Sequence, residues 1–124
     1  MQIIEDSTDA SYVIDAHGPG WVSINHVTYT QSLIVMPNQL HNPWRPSSFE
    51  ELELTDLNPV LSFKPEVLII GTGKSQRFPE TKIIKHLVDS QIGYEFMDNA
   101  AACRTYSVLM SEKRQVAAAL LMTD

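Results

Sequence analysis

Glu66-Val-Leu-Ile-Ile-Gly71-Thr-Gly73-Lys-Ser-Gln-Arg77-Phe-Pro79 decides how the chain folds: a short, wholly apolar run stops abruptly at two glycines, two cations and a proline. Four consecutive apolar residues bounded by turn formers fit a strand covered on both faces, as strands of parallel sheets are. Gly71 and Gly73 let the main chain approach a ligand or another backbone closely. The stretch reads as a buried parallel strand, a backbone-rich loop and then a helix.

Downstream, Ile83, Ile84, Leu87 and Val88 recur at helical spacing, with Lys82, Lys85 and Asp89 pointing outward. This predicts a helix over 80–90 that starts at Pro79, whose missing N–H costs nothing in a first turn, and is capped by Gly93. Tyr94-Glu-Phe-Met97 is a second strand. Asp98 or Asn99 then opens a helix to residue 111, with Ala102, Tyr106, Leu109 and Met110 on one face. Alternating strand and helix imply right-handed parallel crossovers. Gln115-Val-Ala-Ala-Ala-Leu-Leu-Met122 is ambiguous, since its composition favours a helix and its length a strand; an antiparallel closing strand over 116–121 is expected.

Upstream, Tyr12-Val-Ile-Asp-Ala and Trp21-Val-Ser-Ile flank the turn formers His17-Gly18-Pro19-Gly20, a hairpin pattern, and Asn25-His26 makes another turn. Leu33-Ile-Val-Met36 is wholly apolar and is expected to be parallel to Val67–Ile70 and Tyr94–Met97. Residues 37–48 hold three prolines and no apolar period, which predicts an ordered surface loop carrying Trp44 and Arg45. Ser48 is a candidate N-cap for a short turn at Phe49, with Glu50 and Glu51 favourably placed at its positive end. Met1 to Asp9 shows no period and is expected to be loosely held, with Ile3 and Ile4 against the body.

At 124 residues the chain suits one domain with one core. Fifteen acidic against nine basic side chains give a net charge of −6, which repels phosphate backbones, so nucleic acid is excluded as an expected partner. The single cysteine, Cys103, cannot form an intrachain disulfide, and the N-terminus lacks the order of a signal peptide; a cytoplasmic setting follows. No apolar run approaches the roughly 20 residues that span a bilayer.

The motifs are more restrained than they look. Gly73-Lys74-Ser75 lacks the glycine five residues earlier that a phosphate loop needs, because Leu68 stands there. The dinucleotide fingerprint fails at Gln76. What remains is a set of N–H groups with Lys74 and Arg77 that would hold a small anion, set against a Gly-x-Gly that merely turns the chain. Cys103 beside Arg104 near a helix start would favour a thiolate, yet its Ala-Ala-Cys context and the usual burial of cysteine favour packing. His17, His26, His41 and His86 have no metal-ligand spacing, and no metal or cofactor is expected.

Trp21-Val-Ser-Ile, Ser32-Leu-Ile-Val-Met-Pro37, Trp44, Pro65-Glu-Val-Leu-Ile-Ile-Gly-Thr-Gly73, Met97-Asp-Asn-Ala-Ala-Ala-Cys-Arg-Thr-Tyr-Ser-Val-Leu109 and Val116-Ala-Ala-Ala-Leu together resemble a family of small proteins of unassigned function. It includes a mitochondrial respiratory complex I assembly factor and an adipogenesis-associated domain protein. The resemblance implies an α/β fold with a central mixed, mostly parallel sheet, a smaller antiparallel β layer and packed helices, and it makes the last segment a strand. It carries no catalytic residues. It also implies a protein partner, with respiratory complex subunits as the specific form.

Ligands of open α/β sheets bind at the carboxyl edge of parallel strands. That edge is expected to gather Trp44, Arg45, Thr72, Gly73, Lys74, Arg77, Asp98, Cys103 and Arg104 into a pocket for a small anion or a partner's carboxylates. Two functions compete: a non-catalytic binding or assembly module, which is favoured, and a small-molecule enzyme using Cys103. The enzyme would need an acid–base partner that the spacing does not supply.

Overall fold

The computed structural model describes residues 11–123 as two sheets with helices packed on both faces of the larger one; the expectation for Met1 to Asp9 lies outside them. β1 (Ile14–Gly18), β2 (Trp21–Ile24) and β3 (Val27–Tyr29) form the smaller, antiparallel sheet. Asn25 and His26 both adopt positive φ in the tight turn between β2 and β3, where right-handed strand twist selects such a turn. The larger sheet contains β4 (Leu33–Val35), β5 (Leu40–His41), β6 (Val67–Gly71), β7 (Gly93–Met97) and β8 (Val116–Leu120), in the order β5-β4-β8-β6-β7.

This order corrects two expectations. β8 is central and runs parallel to β6, pairing Val67 with Val116 through Gly71 with Leu120. β4 is antiparallel to β8 and does not touch β6. The parallel trio is therefore β6, β7 and β8. The connection through α3 delivers β8 to the middle, leaving β4 to pair on its far side.

Period-two alternation divides the core. Ile34, Met36, Leu68, Ile70, Ala117, Ala119 and Leu121 face one way, beneath α1 (Asn58–Phe63) and α2 (Thr81–Asp89). Leu33, Val35, Ile69, Val116, Ala118 and Leu120 face the other, beneath α3 (Asn99–Ser111) and the smaller sheet. All five β8 residues are buried. Its three consecutive alanines let both covering layers come close, and bulkier residues on β4 and β6 fill the remaining volume.

Helix ends differ in detail from the sequence pattern. Pro79 lies before α2, whose N-cap is Glu80, and Gln91 rather than Gly93 takes the left-handed backbone after it. Val88 points to solvent, so the apolar stripe is narrower than expected. Gly93 begins β7, where an added Cβ would stand 3.1 Å from the Glu66 carbonyl oxygen. Among the described residues no helix is long and apolar enough to cross a membrane.

Candidate functional site

A cavity of about 440 Å³ lies at the carboxyl edge of β6, β7 and β8, between the His17–Val22 hairpin turn and the first turn of α3. Residues that follow the three strands supply one side: Gly73 and Lys74 after β6, Asp98 and Asn99 after β7, Met122 after β8. The third strand ending at this edge is β8 rather than the Leu33 strand.

The loop after β6 is tied down by its own side chains. Thr72 is buried; its N–H donates to the Met97 carbonyl at 2.8 Å, and its hydroxyl donates to the Ser75 carbonyl at 2.7 Å and accepts from the Arg77 N–H at 3.2 Å. The Gly73 N–H donates to Asn99 Oδ1 at 3.0 Å, and Asn99 Nδ2 donates to the Leu121 carbonyl at 2.8 Å. Asn99 thus fastens the loop to the end of the central strand. The N–H groups of Thr72 and Gly73 are directed at protein acceptors, so these two are engaged within the fold.

The four expected cations do not converge. Arg45 donates from Nε and Nη2 to the two oxygens of Asp56, at 2.7 and 2.8 Å. That guanidinium holds the Asp56 carboxyl below the usual carboxylate range. Arg77 pairs with Glu50 beside a second, shallower cleft. Arg104 is exposed and does not line the cavity. Lys74 borders it, together with His17 and Asp98. Trp44, expected on a surface loop, is 3 % exposed, and its indole N–H donates to the Asp56 carbonyl at 2.8 Å. A tryptophan sealed by a hydrogen bond to a neighbouring turn is a core residue, and the proline-rich segment is wrapped around it.

Asp98 caps α3 by accepting the Ala101 N–H at 2.9 Å. Cys103 lies one turn further along the same helix, in the cavity wall and 2 % exposed. Burial pushes its thiol up to about 12, and Arg104 offsets this only in part, which favours the protonated thiol at neutral pH. Among the described residues no cluster of side chains has the make-up of a metal site.

Sequence reasoning missed the opposite wall. His17, Gly18, Gly20, Trp21 and Val22 were legible as a hairpin, and the Gly-Pro-Gly-Trp string was the available signal. A Cβ at Gly18 would stand 2.4 Å from the Trp21 indole nitrogen, so glycine is what allows the ring to lie against the turn. Gly20 adopts φ +76°, which favours glycine on conformational grounds.

Residues 14–121 match a family described as a protein of unknown function (DUF498/DUF598). The chain belongs to this family. A protein from Xanthomonas campestris, solved by NMR, is 36 % identical and superposes with a TM-score of 0.85 over 98 % of this chain and 92 % of its own. The chain is also 26 % identical to the "13 kDa major membrane protein" of Francisella tularensis, across 98 % of this chain and 99 % of that protein. The NADH dehydrogenase (ubiquinone) 1 alpha subcomplex assembly factor 3 of Danio rerio is 29 % identical, across 98 % of this chain and 70 % of its own length.

Proposed function

We propose that this protein is a non-catalytic binding module that brings protein subunits together in the cytoplasm, its most specific task being assembly of a respiratory complex. The observation that carries the reading is an aromatic ring left in water. Phe78 is 73 % exposed, at the edge of a cleft of about 340 Å³ lined by Phe49, Leu52 and Ile83. A single exposed aromatic ring at the mouth of a cleft walled by buried apolar side chains is the kind of anchor point that a protein partner covers. Glu50, paired with Arg77, and Glu80 border the same cleft, and the net charge of −6 of the whole chain favours a partner that carries basic residues. The family relation to an assembly factor supports the same reading.

The test is affinity capture from the protein's own cells, comparing tagged native protein with a Phe78→Ser variant. Respiratory subunits are expected with the native protein and should be lost with the variant, whose fold the exposed position leaves intact. Failure to recover them with the native protein would end the assembly reading. Equal recovery from both would remove Phe78 from it.

A further inference from the structure

The cavity at the carboxyl edge lies apart from the Phe78 cleft and has a different chemistry. We propose that it is a binding site for a flat, uncharged ring compound.

Its volume of about 440 Å³ falls within the roughly 300–1,000 Å³ of small-molecule sites. Trp21, Val22, Cys103, Leu120 and Met122 supply an apolar interior, whereas His17, Lys74 and Asp98 are the titratable groups that border it. Both ends of the Asn99 amide are engaged by Gly73 and Leu121. Burial favours the neutral thiol of Cys103 at physiological pH. The interior therefore rewards apolar contact and offers a buried polar group little compensation for its lost hydration.

Shape narrows the class. Because Gly18 has no side chain, the Trp21 ring lies against the hairpin turn, and it is the one aromatic residue of the cavity lining besides the His17 imidazole. Rings stack on an indole in offset or edge-on arrangements, and the sulfurs of Met122 and Cys103 add polarisable contacts. A planar ligand would lie along the indole, with any polar substituent at the His17, Lys74 and Asp98 rim.

Indole is a suitable probe and inorganic phosphate the matching anion, each titrated into isotope-labelled protein while amide and indole N–H resonances are followed. Indole should shift Trp21, Ala100 and Met122 saturably with a Kd of about 1 mM, the range open to a ligand of so few atoms. Phosphate should leave those resonances in place. Ala100 is exposed on the first turn of α3 and borders the cavity, so Ala100→Leu should fill the site, keep the native spectrum elsewhere and weaken indole about tenfold or more. Gly18→Ala provides a second variant, which displaces the Trp21 ring and should also weaken indole. The proposal fails if indole produces no saturable shift, if neither variant changes its affinity, or if phosphate shifts these residues while indole does not.

Discussion

Replacing Gly71 by alanine should uncouple the loop after β6 from the central strand, and its cost can be worked out from the packing. The new Cβ would stand 2.3 Å from Asn99 Oδ1 and 2.9 Å from Leu120 Cδ2, too close for either to remain in place. Displacing Asn99 sacrifices its bonds to the Gly73 N–H and the Leu121 carbonyl, each worth about 1 kcal/mol net. Crowding Leu120 in a filled core adds about 1–3 kcal/mol. Gly71→Ala should therefore destabilise by about 3–5 kcal/mol in urea titrations read by tryptophan fluorescence. Asn99→Ala alone removes the same two bonds and should cost about 2 kcal/mol. In that background the obstruction is gone, so Gly71→Ala should cost only the Leu120 strain. The cycle should show a coupling of about 2 kcal/mol. Additivity to within about 0.5 kcal/mol would show that the two residues do not act through one another, and the account of the loop would be wrong.

Two further outcomes follow from the buried titratable groups. Cys103 should react with iodoacetamide at pH 7.5 at least about a thousandfold more slowly in the native protein than in urea, since raising a thiol from its ordinary value to about 12 depletes the thiolate by that factor; comparable rates would refute its burial. Asp56 has its carboxyl lowered by Arg45, so its contribution to stability is present above the ordinary value near about 4 and is lost as pH falls through the lower folded value. Asp56→Asn should cost about 2 kcal/mol at pH 7 and flatten the acid limb of the stability curve, and an unchanged acid limb would remove the carboxylate from that role.

Local pattern revealed the elements more fully than their neighbours. Val67–Gly71 and Asn99–Ser111 are legible because burial on both faces and a helical stripe leave direct marks on residue order. Strand direction leaves no such mark. Leu33–Val35 and Val116–Leu120 are both buried on both faces, so period-two reasoning cannot say which of them adjoins Val67. The crossover through α3 decides it, and a crossover is a property of the folded chain. Trp44 shows a similar limit: three nearby prolines describe a loop, while the carbonyl that buries the indole comes from Asp56, twelve residues away. Gly73, Lys74, Asp98 and Cys103 could be placed on one cavity wall because they follow strands that could be read. Arg45 and Arg77 were misplaced because their carboxylate partners, Asp56 and Glu50, come from other segments and draw them away.

The place of β8 at the middle of the larger sheet sets the order in which the protein can be made. Synthesis delivers β4 and β6 long before residue 116, and both wait for the same neighbour. Until it arrives, each presents a bare strand edge with buried-type side chains on both sides, the surface that nascent chains most readily misuse to pair with one another. Shielding of those two edges on the ribosome or by a chaperone would therefore limit such mispairing. A chain stopped short of Val116 would lack the strand on which both halves of the sheet are joined.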